Sequence, residues 1–122
     1  MLPKILIVDD AVFMRTMIKD ILVNSEKFEV VGEASNGTES VDQYRHLKPD
    51  LVMMDIVMPE MDGIHAVRKI TEIDPRARIV MCSALGQEPL VIESLVAGAK
   101  DFIVKPFDPR RVIEVIETTL YK

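Results

Sequence analysis

The sequence predicts an α/β fold: a single (βα)5 domain whose doubly wound, five-stranded parallel sheet carries helices on both faces. Three observations predict it. Short apolar runs alternate with segments of helical period five times along the chain. The runs are apolar at successive positions, as in strands covered on both faces. The length of 122 residues fits one domain over 1–122 and, on this reading, leaves no room for a separate output domain.

The elements follow in order. Residues 4–8 (KILIV) form a buried-strand run. Residues 11–23 (AVFMRTMIKDILV) place Phe13, Met14, Met17, Ile18, Ile21 and Leu22 on one helical face. Residues 28–34 (FEVVGEA) are the second strand. Ser35, Asn36 and Gly37 are a turn signal that opens a helix holding Val41, Tyr44 and Leu47 inward. Pro49 and Asp50 punctuate it, and residues 51–54 (LVMM) are the third strand. Residues 63–73 form a helix with Ile64, Val67, Ile70 and Ile73 inward, ended by Asp74 and Pro75. Residues 78–82 (RIVMC) are the fourth strand. Residues 89–97 read as a short helix closed by Gly98. Residues 101–104 (DFIV) are the fifth strand. Asp108 caps, and Pro109 opens, a last helix with Val112, Ile113, Ile116 and Leu120 on one side.

Composition narrows the function classes. The net charge of −5 disfavours nonspecific nucleic-acid binding, which relies on basic patches. No apolar run is long enough to span a bilayer, and the run after Lys4 is too short for a signal peptide. Cys82 is alone, so neither an internal disulfide nor a thiolate metal cluster can form. The cytoplasm is therefore the expected location.

In an open parallel sheet the ligand site lies beyond the carboxyl ends of the strands. After the first strand come Asp9 and Asp10; after the third, Asp55; after the fourth, Cys82 and Ser83; after the fifth, Lys105. Three carboxylates, a hydroxyl and an ammonium thus converge on one edge. Carboxylates this close either protonate or bind a hard cation. Mg2+ suits oxygen ligands and shares its coordination with phosphate, whose other oxygens Lys105 and Ser83 can hold. The chemistry implied is phosphoryl transfer, with Asp55 as ligand or nucleophile.

Each residue alone has a plainer reading. Asp10 could be only a helix N-cap, Ser83 a packed hydroxyl and Lys105 a solvated lysine. A pure cap needs one aspartate, not two, and the joint placement on four strands makes coincidence a poor account. His46, His65, Arg110 and Arg111 read as exposed, Cys82 as a small buried residue, and the eight methionines mostly as core. A flavin site is a poorer fit, because two carboxylates in the first loop repel phosphate unless a cation intervenes. No G-x-x-x-x-G-K-[ST] loop is present. Phosphatases of the haloacid dehalogenase type need a D-x-D after the first strand, whereas Asp9 and Asp10 are adjacent.

The stretches ILIVDDA (5–11), MMDIVMPEMDGI (53–64), MCSALG (81–86) and GAKDFIVKPF (98–107) together resemble the receiver domain of two-component response regulators. The resemblance covers nearly the whole chain and points to the stand-alone, chemotaxis kind. It implies the flavodoxin-like strand order 2-1-3-4-5, which the spacing alone does not yield. Asp55 would accept the phosphoryl group from a sensor histidine kinase (CheA-like). Asp10, Asp55 and the backbone carbonyl of Val57 would ligate Mg2+ or Mn2+, and Asp9 would act through a bound water. Lys105 and Ser83 would hold the phosphate, and the Lys105–Pro106 bond would be cis. Ser83 and Phe102 would form the switch. The partners implied are a flagellar or archaellar motor switch or adaptor on the face of the fourth helix, fifth strand and last helix, and a phosphatase. No nucleic acid or membrane partner is expected, and the chain would be a monomer that catalyses only its own phosphorylation and dephosphorylation.

Particular positions refine that picture. Ser83 is the less frequent alternative to Thr in such domains, and Phe102 replaces a common Tyr. Val57 and Leu85 stand where side chains reach attacking water; being apolar, they are expected to slow dephosphorylation. Two other functions fit less well: a phosphorelay intermediate that passes its phosphate to a histidine phosphotransfer protein, and a Mg2+-dependent small-molecule phosphatase, for which the short connections leave no cap.

Overall fold

A computed structural model describes residues 1–121; Lys122, the last residue of the expected domain, lies outside the described residues. Ten elements alternate: β1 (Lys4–Val8), α1 (Val12–Ser25), β2 (Glu29–Ala34), α2 (Gly37–Leu47), β3 (Leu51–Asp55), α3 (Gly63–Ile73), β4 (Ile79–Ser83), α4 (Glu88–Ala97), β5 (Asp101–Val104) and α5 (Pro109–Tyr121). All strand pairs are parallel, in the order β2-β1-β3-β4-β5. This is the doubly wound (βα)5 architecture that the alternation predicts.

The pleat divides each apolar run between two cores. Successive side chains of a strand point to opposite faces. Ile5 and Ile7 of β1, Leu51 and Met53 of β3, and Val80 and Cys82 of β4 join Ile18, Leu22, Val112 and Ile116 of α1 and α5. Leu6 and Val8, Val52 and Met54, and Ile79 and Met81 join Val41, Tyr44, Ile64, Ile70 and Val91 of α2, α3 and α4. A strand buried on both faces must be apolar at every position, which is why these runs do not alternate with polar residues.

Several boundaries and faces differ from expectation. Phe13, in the first turn of α1, is 70% exposed rather than packed. Ile73, the last residue of α3, is exposed rather than inward. β3 extends to include Asp55, and β4 runs from Ile79 to Ser83, so Cys82 and Ser83 lie within the strand rather than after it. Helix ends follow the expected chemistry: Asn36 caps α2 and Asp62 caps α3 through their side chains, and Gly98 closes α4 at φ +130°. Asp10 is not the cap of α1. That place falls to Ala11, which makes no side-chain cap bond.

Candidate functional site

The site forms where β1, β3, β4 and β5 end. Asp9 follows β1, Asp55 closes β3, Ser83 closes β4 and Lys105 follows β5. Parallel register brings these ends level: Asp55 lies opposite Cys82, and Ser83 opposite Val104. One carboxylate oxygen from each of Asp9, Asp10 and Asp55 lies within 4.8 Å of the others. Asp9 and Asp55 are buried, whereas Asp10 faces solvent. The Lys105 ammonium donates to Asp9 Oδ2 at 3.2 Å and to Asp55 Oδ1 at 3.3 Å.

The backbone fixes these groups from several sides. The Ile56 N–H donates to Asp55 Oδ1 at 2.9 Å, and the Ala11 N–H to Asp9 Oδ1 at 2.9 Å. The Gly63 N–H bonds the Ile56 carbonyl at 2.7 Å, drawing the start of α3 against β3. A Cβ on Gly63 would run into the Asp55 carbonyl, so only glycine allows that approach. The Lys105 N–H bonds the Ser83 carbonyl at 2.7 Å, and the Lys105–Pro106 peptide is cis.

The electrostatics follow from one cation among three anions. Burial pushes the Asp55 carboxyl up to about 6, Asp9 adds to the rise, and Lys105 and the Ile56 N–H offset only part of it. Burial also works against the Lys105 charge, but Asp55 and Asp9 together outweigh it and hold the ammonium above its ordinary value. Buried oxygen donors with excess negative charge, and one carboxylate open to solvent, suit a hard divalent cation that keeps waters or phosphate oxygens in its shell. Burial pushes the Cys82 thiol up, so it stays protonated, as a packed residue would.

The remaining expected residues lie on the loops after β3 and β4 and on β5. Val57 and Leu85 are exposed on the loops after β3 and β4. Phe102 is 36% exposed on β5. With Ser83, Leu85, Val91, Leu95 and Val104 it lines an apolar recess of about 210 Å³ beside α4. His46 and His65 are exposed, the latter paired with Asp62 at 3.0 Å.

Two contributors escape sequence reasoning. Arg15 of α1 donates from Nη1 to the Asp9 carbonyl at 2.6 Å and from Nε to Glu33 of β2 at 3.0 Å. The two ion-pair partners are 18 positions apart and make no local pattern. The only available signal is a basic residue one turn into the helix that follows the aspartates.

Comparison with known proteins gives a consistent picture. The family described as response regulator receiver domain matches residues 5–117. The chemotaxis protein CheY of Bacillus subtilis is 62% identical over 117 residues, covering 96% of this chain and 97% of that one. CheY of Thermotoga maritima is 59% identical over 113 residues, covering 93% of each. A CheY solved in a CheX-CheY-BeF3-Mg complex from Borrelia burgdorferi superposes with a TM-score of 0.89 at 42% identity, covering 98% of this chain and 90% of that chain.

Proposed function

The chain belongs to the response regulator receiver domain family of two-component systems, and from that premise we propose that it is a chemotaxis response regulator phosphorylated on Asp55. The observation that carries the reading is the Lys105 ammonium shared between Asp9 and Asp55, with Asp10 within reach. High identity to chemotaxis proteins over nearly the full chain supports the chemotactic role.

Asp10, Asp55 and the Val57 carbonyl would hold Mg2+ or Mn2+ directly, and Asp9 would do so through water. When bound, the ion neutralises phosphate oxygens during transfer. An Asp55 carboxylate oxygen attacks the phosphorus of a phosphohistidine on the sensor kinase. The P–N bond breaks, its electron pair leaves with the imidazole, and an acyl phosphate remains on Asp55. Lys105, already bonded to Asp55 Oδ1, takes up a phosphate oxygen. Ser83 donates its hydroxyl to another. The chain supplies positioning and charge for its own phosphorylation and hydrolysis, not turnover of free substrates.

Movement of Ser83 toward the phosphate opens room for Phe102 to turn into the recess that both line. That change is expected to raise the affinity of the α4–β5–α5 face for a motor switch or adaptor. A phosphatase is a further partner, supported by the neighbour solved with CheX. The test is Asp55→Asn: Mg2+-dependent phosphate uptake from a small phosphodonor should disappear, and uptake that survives would refute the assignment.

A further inference from the structure

We propose that Arg15 is a positioning residue for the metal-binding loop, holding the Asp9–Asp10 peptide in the orientation that aims the Asp10 carboxylate at the site; the inference rests on the receiver reading of that site. Asp10 needs such help. The ion pairs of the centre run to Asp9 and Asp55, and among the described residues none reaches Asp10, which faces solvent. Its direction therefore depends on its backbone. The Asp9 carbonyl belongs to the planar peptide that ends at the Asp10 N–H and Cα. Fixing that oxygen fixes the plane, and with it the start of Asp10.

Arg15 does this from a rigid base. Its side chain is only 14% exposed. The guanidinium is a planar fork, and two of its edges are used at once: Nη1 on the Asp9 carbonyl at 2.6 Å and Nε on Glu33 at 3.0 Å. Glu33 sits in β2 opposite Ile7 of β1, so the fork is braced by the sheet itself. Lys19, one turn further along α1, reaches the other Glu33 oxygen at 3.6 Å and holds that carboxylate in place. The Asp9 N–H bonds Ala34 at 3.1 Å, so both sides of Asp9 are tied to β2, one directly and one through Arg15.

The sign of the effect separates positioning from simple charge. A cation beside three carboxylates repels a metal ion, so on Coulomb grounds alone its removal tightens binding. Positioning requires the opposite. The chain has no tryptophan to report binding, so the readout is free Mn2+ by its electron paramagnetic resonance signal. Arg15→Met should weaken Mn2+ binding about tenfold, the low end of the cost of losing an outer hydrogen-bond partner at a metal site. The half-saturating Mg2+ for phosphate uptake should rise by the same factor, with the rate at saturating Mg2+ retained. Arg15→Lys keeps an ion pair to Glu33 but cannot span both partners, so it too should bind Mn2+ more weakly; it decides the matter alone if the Met variant does not fold. Unchanged or tighter Mn2+ binding in the folded variants overturns the role of Arg15, whereas a wild-type protein that binds no Mn2+ overturns the receiver-site reading itself.

Discussion

Asp55, the proposed nucleophile, sits under two opposed demands: burial that fixes its orientation, and a charge that burial penalises. The penalty is visible in a carboxyl raised from 3.8 to about 6 by burial first and by Asp9 second. Because the folded protein holds this proton more tightly than the unfolded chain, the stability it contributes is fully present below 3.8 and is lost as pH rises to about 6. At neutral pH the metal-free fold therefore carries the cost of an ionised Asp55. Asp55→Asn removes that cost while Lys105 keeps its bond to Asp9. The variant should be more stable than wild type at neutral pH by roughly 1 kcal/mol, after discounting for solvent screening. The gap should close on acidification. Urea unfolding of both proteins without metal checks this; equal stability at neutral pH, or a gap that grows toward acid, would sink it. Val57 and Leu85 raise a kinetic question at the same scale. Both are exposed and apolar, on the loops after β3 and β4, and in the proposed mechanism they would offer attacking water no polar contact. Val57→Asn or Leu85→Gln should change the decay rate of the aspartyl phosphate several-fold or more, about 1 kcal/mol in the barrier; an unchanged rate removes these positions from that role.

At the scale of elements, the sequence was readable wherever burial alone set the pattern. Strands flanked by helices on both sides must be apolar throughout, and KILIV and LVMM state that directly. The pair Asp9 and Asp10 stood out because a cap needs only one carboxylate, and the structure gives the cap position to Ala11 instead. What periodicity cannot reveal is how much of an apolar face the rest of the fold covers. It places Phe13 on the apolar face of α1, yet the ring is 70% exposed. Helices α1 and α2 end on left-handed Glu26 and Lys48, at φ 60° and 46°, without the glycine that would have marked them. The Arg15–Glu33 pair was invisible for a different reason. It depends on β2 lying beside β1, and long-range pairing leaves no trace in a local window. Gly63 reads in the sequence as the first residue of a helix, but not as the gap that lets α3 close against the Asp55 carbonyl.

Across the whole molecule, the proposed phosphate site and the proposed partner face meet at the end of β4, where Ser83 lies. Its carbonyl accepts the Lys105 N–H at 2.7 Å, and the residue helps line the recess that Phe102, Leu85 and Val91 also line. A signal that depends on this geometry should be lost when the hydroxyl is removed, even though the chemistry at Asp55 survives. Ser83→Ala keeps the three carboxylates and Lys105, so it should still take up phosphate from a small phosphodonor. It should not transmit that event. In wild type, phosphorylation should tighten binding of a motor component or adaptor to the α4–β5–α5 face by about tenfold or more, equivalent to about 1.4 kcal/mol of differential affinity between the two states. In Ser83→Ala the ratio should fall to about twofold or less, because an effector shifts an equilibrium only by its differential interaction with the two states. Titrating partner binding with phosphorylated and unphosphorylated forms of both proteins measures the two ratios directly. If the variant is phosphorylated and its ratio matches wild type, coupling does not pass through Ser83. The acidic site would then have to reach the partner face by another path, of which the backbone bond from Lys105 to Ser83 is the first to examine.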